Sequence, residues 1–385
     1  MRVAFYAPLK SPEHPVPSGD RQLARYLLQA LRSRGHVVTL ASRFRSFDGA
    51  GNAERQARLG TVGMRLADRL LTRYRRMPDA PQLWFTYHLH HKAPDLLGPV
   101  VSRALGIPYV VAEASVAPKQ RHGRWAIGYA HALHAIRTAD AVVFLNPVDI
   151  EQVTQVRAAD SLAETLRPFL DVAALAGHAP TLQRAERRCR VRLITVAMMR
   201  DGAKLASYRL LATALLRVEP MQWELVVVGD GPARSRVEAA FAPFRSGQVR
   251  FAGARTGIEV AKLMHDSEVF VWPAIDEAFG MVFLEAQACG LPVVGGDGGG
   301  VAAVVAHGRS GWLAPAGSVD AFADATRSLV IDADLRARMG RDALAYVREQ
   351  HDLPAAAARL DRLLMRVHAA RGDGSGATPA QGSPC

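Results

Sequence analysis

The chain has few cysteines and no long hydrophobic run. Cys189, Cys289 and Cys385 are the only cysteines in 385 residues, and they lie far apart without metal-ligand spacing. This pattern argues against a disulfide framework and against a zinc cluster. No stretch approaches about 18 uncharged apolar residues, and the first residues lack the apolar core and cleavage pattern of a signal peptide. We therefore expect a cytoplasmic protein.

Acidic residues are fewer than basic ones, and the imbalance lies in the first half. The chain has 48 Lys and Arg against 36 Asp and Glu, a net charge of +12, and residues 1–170 contain 23 against 13. This asymmetry is compatible with an anionic membrane, a phosphorylated substrate or nucleic acid. No nucleic-acid motif or strip of interleaved aromatic and basic residues accompanies it, so we expect no nucleic-acid partner.

Short apolar runs alternate with helical patterns along most of the chain. The expected strands are Arg2–Ala7, His36–Ala41, Gln82–Tyr87, Tyr109–Ala112 and Ala141–Leu145, followed by Arg192–Met198, Trp223–Val228, Val249–Ala252, Val269–Trp272, Pro292–Val294 and Gly311–Ala314. Alternation of this kind predicts parallel sheets with helices on both faces. The fold class is therefore α/β, with two doubly wound, Rossmann-like domains that face one another across a cleft.

The domain boundaries follow from changes in composition. We expect an N-terminal domain over 1–171, a linker rich in alanine and charge over 172–190, and a second domain over 191–352. A last helix over 353–371 is expected to return to the first domain. The tail 372–385 has almost no apolar bulk and is expected to be disordered.

The segment Pro273–Val294 carries the strongest chemical signal. A strand ends near Pro273, Glu277 lies in the following loop, and a helix that starts at about Phe279 carries Glu285 on an otherwise apolar sequence. Free N–H groups at a helix N-terminus bind ligand oxygens, and a carboxylate on an apolar helix needs hydrogen-bond donors such as sugar or ribose hydroxyls. The alternative is that Glu277 caps the helix and Glu285 is solvated.

This segment, EAFGMVFLEAQACGLPVV, resembles the paired-glutamate signature of family 4 glycosyltransferases, which have the GT-B architecture, use nucleotide-sugar donors and retain anomeric configuration. The resemblance extends to VVVGDGP at 226–232, VRFAG at 249–253, HGRSGWLAP at 307–315 and RPFLD at 167–171. It implies that Glu285 binds the ribose hydroxyls of the nucleotide. It also implies that Glu277 and the backbone amides of Phe279, Gly280 and Met281 hold the transferred sugar.

The resemblance implies further donor contacts. Lys204 and, in a shifted position, Arg200 would bind the diphosphate, because this family places an arginine and a lysine after the first strand of the second domain. Gly19 would approach the diphosphate from the first domain, and Gly231 and Ala254 would line the base pocket. Taken without the family, Arg200 and Lys204 are ordinary loop cations, and Ser18 or Asp20 is an ordinary helix cap.

One family residue is absent from the first domain. Many members carry a histidine after the strand that here reads Val110–Ser115, and this chain has Glu113 at that strand end. His88, followed by His90 and His91, comes after the neighbouring strand. We expect His88 or Glu113 to act near the reacting sugar. No carboxylate lies at a short metal-binding spacing from these histidines, and GT-B enzymes generally need no bound metal, so we expect no metal and no cofactor.

A basic stripe is predicted on one helix of the first domain. Arg58, Arg65, Arg69, Arg73 and Arg76 recur at helical spacing beside an apolar stripe of Leu59, Val62, Leu66, Leu70 and Tyr74. A basic amphipathic helix is typical of peripheral contact with an anionic membrane, here at its inner face. Solvated arginines above a core-facing apolar stripe are the commoner arrangement.

The sequence thus predicts a retaining glycosyltransferase that moves a sugar from a nucleotide sugar to an acceptor, which is a glycan, a lipid-linked sugar or a small molecule. Two alternatives stay open: a GT-B-shaped sugar-nucleotide epimerase, and a non-catalytic protein that binds nucleotide sugars.

Overall fold

The computed structural model describes residues 1–16, 18–176, 190–218, 222–277 and 280–374. The chain forms two compact units, one of Met1–Leu166 with the chain from Pro354 onward, the other of Arg167–Leu353. In the described residues, each unit is built on a parallel sheet of six strands. The predicted α/β class with two doubly wound, Rossmann-like units is confirmed.

The first unit has its sheet in the order β2-β1-β3-β4-β5-β6. Its strands are β1 (Arg2–Tyr6), β2 (Val37–Ser42), β3 (Leu83–Leu89), β4 (Tyr109–Ala114), β5 (Ala141–Phe144) and β6 (Leu162–Thr165). Its first helices are α1 (Gly19–Ser33), α2 (Ala53–Tyr74), α3 (Gly98–Leu105), α4 (Ala126–Arg137) and α5 (Ile150–Thr154). β3 and β4 are almost wholly buried because apolar residues occupy both of their faces.

β6 was not expected from the sequence. It lies at the edge of the sheet, where Leu162 pairs with Ala141 of β5, and its residues alternate between half-buried and exposed. An edge strand with one solvated face needs no continuous apolar run, so its four residues gave no strand signal.

The second unit has its sheet in the order β12-β11-β10-β7-β8-β9. The strands are β7 (Val191–Val196), β8 (Trp223–Val228), β9 (Val249–Gly253), β10 (Val269–Trp272), β11 (Val293–Asp297) and β12 (Gly311–Pro315). The helices are α6 (Val172–Ala176), α7 (Ala203–Leu215), α8 (Arg234–Ala240), α9 (Gly257–His265), α10 (Met281–Ala288), α11 (Val319–Ile331) and α12 (Ala333–Gln350).

Each sheet has one point where the chain reverses its direction of winding. In the first unit this point lies between β1 and β3, and in the second it lies between β7 and β10. The loops that follow such neighbouring strands diverge to opposite faces, which leaves a crevice at the carboxyl ends of the strands. Ligands of doubly wound folds bind in this crevice, so the residues after β1, β3, β7 and β10 are placed to contact a ligand.

The segments that join the units differ from the sequence expectation in detail. Residues 167–171, expected in the first domain, cluster with the second unit, and the expected linker 172–190 begins with α6. Most of that linker, 177–189, lies outside the described residues.

The last helix, α13 (Leu353–Gly374), lies with the first unit from Pro354 onward. Asp361 contacts His36 at 3.0 Å, and Arg371 forms an ion pair with Asp140. The helix extends past residue 372, where the expected tail began, and 375–385 lie outside the described residues.

Candidate active site

In the second unit, an ion pair joins the two sides of the crevice. Lys204, in the first turn of α7 after β7, pairs with the carboxylate of Glu277 in the loop after β10. Lys204 also lies over the indole ring of Trp272, at the end of β10. The centre of this ring is 5.4 Å from the Lys204 Nζ. Both charged side chains keep about a fifth to a quarter of their surface exposed, at 19% for Glu277 and 25% for Lys204. A ligand can therefore reach both of them.

The backbone around Glu277 is held in a strained path. Ala274 and Asp276 adopt positive φ angles of 55° and 49°, which only a minority of non-glycine residues do. The Ser207 hydroxyl accepts a hydrogen bond from the Ile275 N–H at 3.0 Å, which ties this loop to α7. Strain held in place by neighbouring structure is common at functional sites, which favours a functional role for Glu277.

A glycine-rich loop supports the same segment from β11. The N–H of Gly300 donates to the carbonyl oxygen of Glu277 at 3.2 Å. Gly299 has a φ of +59°, and a Cβ atom there would lie 2.1 Å from that carbonyl oxygen. The loop thus approaches the Glu277 backbone more closely than any side chain permits. A cavity of about 300 Å³ opens between the two loops and is lined by Pro273, Ala274, Ile275, Asp276, Gly296, Gly298, Gly299, Ala316 and Gly317.

α10 starts one or two residues later than expected, at Met281. Gly280 occupies the N-cap with a φ of +68°, and no side chain caps the helix there. The amides of its first turn therefore lack a side-chain acceptor, which suits an anionic or hydroxyl ligand. Met281 is buried at 6% exposure. Phe279, expected to donate through its amide, lies outside the described residues.

Glu285 is a half-buried carboxylate on an apolar helix. Burial raises its pKa to about 7, and no neighbouring charge contributes to that shift. Among the described residues its side chain has no ion-pair partner. A desolvated carboxylate without a partner retains its full capacity to accept hydrogen bonds from a ligand.

The remaining expected donor contacts are spread over the loops of the second unit. Gly231 has a φ of +152°, and a Cβ atom there would lie 2.3 Å from the Met199 carbonyl oxygen, so this turn packs closely against the loop after β7. Ala254 and Arg200 are exposed. Lys204 and Glu277 are therefore in direct contact, whereas no contact joins Arg200 to them in the described residues.

The first unit has a charged cluster at its own crevice. His88, at the end of β3, places its Nδ1 atom 3.2 Å from Asp20 in the first turn of α1 and 3.9 Å from Glu113 at the end of β4. Both His88 and Glu113 have positive φ angles, 58° and 55°. The two residues that the sequence offered as alternatives thus lie together. Gly19, the first residue of α1, directly precedes Asp20 in the sequence and is exposed.

The charges of this cluster shift one another strongly. Burial alone would lower the pKa of His88, but Glu113, Asp20 and Asp149 outweigh it and raise that pKa to about 9. Burial raises the pKa of Glu113 to about 7, against the opposing charge of His88. His88 is therefore a cation at neutral pH.

Two members of this cluster were missed by the sequence analysis. Asp20 was considered only as a helix cap, and Asp149 was not considered. Ser18 is the cap, since its hydroxyl accepts from the Arg21 N–H at 3.2 Å, which leaves the Asp20 carboxylate to His88. Asp20 and Asp149 each follow a loop that joins a strand to a helix. This placement was the signal in the sequence from which the two carboxylates could have been identified.

The histidine cluster shows no metal-binding arrangement. Burial lowers the pKa of His90 to about 3, and its Nδ1 accepts a hydrogen bond from the Lys92 N–H at 3.1 Å. Within the part of the chain that the structure describes, no group of three or more His, Cys, Asp or Glu side chains is arranged to hold a metal ion. In that same part, none of the helices has the length and apolar character needed to cross a membrane.

Sequence comparison finds a family match within the second unit. Residues 190–332 match the family model described as Glycosyl transferases group 1. The D-inositol 3-phosphate glycosyltransferase of Kribbella flavida is 32% identical over 211 residues, 51% of this chain and 49% of that protein. The N-acetyl-alpha-D-glucosaminyl L-malate synthase of Bacillus anthracis is 34% identical over 128 residues, 33% of each chain. The curated relatives are matched over only 21% to 49% of their own length.

Comparison with solved structures covers nearly the whole chain. Sucrose-phosphate synthase from Thermosynechococcus elongatus superposes with a TM-score of 0.74 at 17% identity, over 96% of this chain and 99% of its own. HepE from Anabaena, solved with UDP, gives 0.72 at 16% identity, over 95% and 100%. At these identities the likeness establishes the fold. The chain has the GT-B fold of two Rossmann-like units, the matches support a transferase, and residues 190–332 match the group 1 glycosyl transferase model.

Proposed function

We propose that the protein is a retaining glycosyltransferase of family 4 that moves a sugar from a nucleotide-sugar donor to an acceptor. The observation that carries this proposal is the Lys204–Glu277 ion pair at the crevice of the second unit, within the segment that matches the group 1 glycosyl transferases. Glu285, unpaired on the helix that follows, supplies the second glutamate of the signature.

The donor would be held by groups of the second unit. Lys204 neutralises the diphosphate, because an ammonium forms short charge-assisted hydrogen bonds to phosphate oxygens. The amides of Phe279, Gly280 and Met281, with Glu277, hold the transferred sugar, and the ribose hydroxyls donate to Glu285. Gly231 and Ala254 line the base pocket, Gly19 approaches the diphosphate, and Arg200 assists from the loop after β7.

The reaction exchanges one bond to the anomeric carbon for another. The bond between this carbon and the leaving phosphate oxygen breaks as the acceptor oxygen forms its own bond on the same face, and the acceptor proton passes to the departing diphosphate. Lys204 and the N-terminus of α10 stabilise the negative charge that develops on the leaving group. Glu277 is paired with Lys204 and acts as a binding group. No metal or cofactor takes part in this scheme.

HepE has been solved with UDP, and another relative is named as dependent on GDP-mannose. The proposal therefore covers both nucleotides. The acceptor is a glycan, a lipid-linked sugar or a small molecule. The printed names of the curated relatives are those of transferases and a synthase, which favours transfer over epimerisation and over a non-catalytic role.

A peripheral position at the inner face of an anionic membrane is proposed from α2. Its buried side consists of Gln56, Gly63, Ala67, Leu70, Leu71 and Tyr74. Of the predicted apolar stripe, Leu70 and Tyr74 therefore face the core, and Leu59 and Leu66 are half-buried. Arg58, Arg65, Arg69 and Arg73 lie exposed on the opposite side with Val62, and none of these arginines forms an ion pair in the described residues. Unpaired arginines along some 20 Å of helix are attracted to anionic lipid.

Product analysis tests the transferase proposal. Candidate nucleotide sugars labelled in the sugar are incubated with a panel of acceptors, and the products are separated and examined by NMR. Label in a new glycoside of unchanged anomeric configuration, formed only with acceptor, is the expected result. An epimerised nucleotide sugar without acceptor, an inverted glycoside, or no turnover with any donor would each contradict the proposal.

A further inference from the structure

The indole side chain of Trp272 contacts both members of the ion pair in the second unit. Its Nε1–H donates a long hydrogen bond to the Glu277 Oε2 atom, at 3.5 Å. The centre of its ring lies 5.4 Å from the Lys204 Nζ atom, within the range of a cation–π interaction. The N–H lies in the plane of the ring and the cation lies over the ring, so a single side chain holds both charged groups.

The indole N–H depends on Glu277 for its hydrogen bond. Trp272 is fully buried, with 0% of its surface exposed. Among the described residues, the Glu277 carboxylate is the only acceptor within hydrogen-bond distance of the Trp272 Nε1 atom. A buried N–H that loses its acceptor costs the full desolvation of that group. The indole therefore favours the position of the Glu277 side chain that is seen in the structure.

The orientation of the indole ring is fixed by α7. The Tyr208 ring meets it edge to face, with 4.9 Å between the ring centres and 70° between the planes. Tyr208 is itself fully buried, and its hydroxyl donates to the Ala197 carbonyl oxygen at 2.7 Å. Tyr208 follows Lys204 by one turn of α7, so the same helix carries the ammonium group and holds the ring that this group lies over.

A diphosphate that binds Lys204 draws the ammonium group away from Glu277. The carboxylate is largely buried, with 19% of its side chain exposed, and burying a charge without a partner is costly. The indole N–H is a donor that stays in place when the ammonium group moves. Glu277 thus retains one partner, and with it a fixed position, after the ion pair is broken.

We propose that Trp272 is a positioning residue for the proposed sugar transfer: its N–H keeps Glu277 directed at the transferred sugar while the diphosphate occupies Lys204. This inference rests on the proposed function and adds a residue that lies outside the paired-glutamate segment. The alternative is a tryptophan that only fills the core. In that case stability depends on the indole and turnover does not.

Trp272→Phe is the sharpest variant, because it removes the N–H and keeps an aromatic face for Lys204. Trp223→Phe is the matched control. Trp223, at the start of β8 in the same unit, is equally buried, and its Nε1–H donates to the Val218 carbonyl oxygen at the same distance of 3.5 Å. Both variants therefore lose the same side-chain volume and a hydrogen bond of the same length, but only Trp272→Phe alters the ion pair.

The first measurement compares turnover with the affinity for free nucleotide. We expect Trp272→Phe to lower kcat about tenfold, as for a lost hydrogen bond to a charged group, and to change the calorimetric affinity for the nucleoside diphosphate by less than about twofold. Trp223→Phe should leave both quantities unchanged. Equal kcat values in the two variants, or a parallel loss of nucleotide affinity in Trp272→Phe, would overturn the inference.

Combining each variant with Glu277→Ala tests whether Trp272 acts through Glu277. Once the carboxylate is gone, Trp272→Phe should lower kcat by less than about twofold, because residues in contact are not additive. The same combinations are measured by thermal unfolding, which needs no turnover. There Trp272→Phe and Glu277→Ala should be coupled, whereas Trp223→Phe and Glu277→Ala should be additive. Additive effects of Trp272→Phe and Glu277→Ala in both measurements would overturn the inference.

Failure of the proposed function is distinguishable from failure of this inference. If the wild type neither binds a nucleoside diphosphate nor transfers a sugar, the proposed function fails, and the role of Trp272 in transfer fails with it, whatever coupling thermal unfolding shows. If the wild type transfers a sugar and the effects of Trp272→Phe and Glu277→Ala are additive, only the inference about Trp272 fails.

Discussion

Lys204 and Glu277, which are 73 residues apart in the sequence, form an ion pair across the crevice of the second unit. The pair occupies the position where a diphosphate and a sugar are proposed to bind. An incoming diphosphate must therefore compete with Glu277 for the ammonium group. This competition gives the two residues different effects when each is removed.

Glu277→Ala should lower kcat by about a hundredfold or more, as is typical when a group that holds the reacting centre is lost. Its affinity for the free nucleoside diphosphate should be unchanged or higher, because Lys204 is released from its partner. Steady-state kinetics with calorimetry of the free nucleotide check both quantities. A parallel loss of turnover and nucleotide affinity would refute this division of roles.

Glu285→Gln should weaken nucleotide binding, because ribose hydroxyls lose a charged acceptor worth about 1.5 to 3 kcal/mol. The same variant should be more stable than the wild type above pH 7. The folded-state pKa of Glu285, about 7, lies above its unfolded value, so the free-energy penalty of burying the carboxylate grows from about pH 4.5 and is complete above pH 7.

Calorimetry with the free nucleotide and thermal unfolding at pH 4 and pH 8 test both statements about Glu285. The difference in melting temperature should be small at pH 4 and favour Glu285→Gln at pH 8. Unchanged nucleotide affinity in a folded variant would remove Glu285 from the site.

Gly299→Ala should impair turnover far more than Gly247→Ala. Both glycines have positive φ angles, +59° and +78°, so alanine costs about 1–2 kcal/mol of backbone strain at either position. A Cβ at Gly247 meets open space, whereas one at Gly299 would lie 2.1 Å from the Glu277 carbonyl oxygen and displace it. Comparison of kcat between the two variants, at matched thermal stability, isolates the effect on Glu277. Equal kcat values would contradict it.

The cation at His88 should stabilise the first unit in a limited pH range. Its folded-state pKa, about 9, lies above the ordinary value of 6.5, so its contribution is complete below pH 6.5 and is lost as the pH rises through 9. His88→Asn is a suitable variant because asparagine tolerates the positive φ at this position. Its melting temperature should fall below that of the wild type at pH 6, and the gap should narrow by pH 10. A constant gap would show that folding does not shift the pKa of His88.

The sequence predicted strands more completely than it predicted the site. Apolar runs placed β8 and β10 at their observed limits, whereas the solvated edge strand β6 left no comparable pattern. Lys204 and Glu277 were each singled out, but their contact depends on β7 and β10 being neighbours, and strand order is not written in any local pattern. Asp20 and His88 meet for the same reason, through the adjacency of β1 and β3.

Vesicle binding tests the arginine face of α2. The wild type should sediment with vesicles that contain anionic lipid at low salt and be released as salt rises, because each arginine near the surface contributes about 1 kcal/mol and is screened within about 8 Å at physiological ionic strength. Replacing Arg65, Arg69 and Arg73 with glutamine should abolish sedimentation.

The matched control replaces three exposed arginines of α12, Arg338, Arg341 and Arg348, and removes the same charge from the second unit. It should leave vesicle binding intact. Absence of wild-type sedimentation at low salt, or an equal loss in both triple variants, would contradict a role for α2.

The most direct test of the central claim is thermal unfolding with a panel of UDP-, GDP-, ADP- and CDP-sugars, run on the wild type and on Lys204→Ala. At 100 times its dissociation constant the true donor should stabilise the wild type by about 2.7 kcal/mol, and the shift should largely vanish in Lys204→Ala. The corresponding nucleoside, which lacks the phosphates, should bind both proteins alike. A wild type that no nucleotide sugar stabilises, or a Lys204→Ala variant that loses nucleoside and diphosphate equally, would contradict the account.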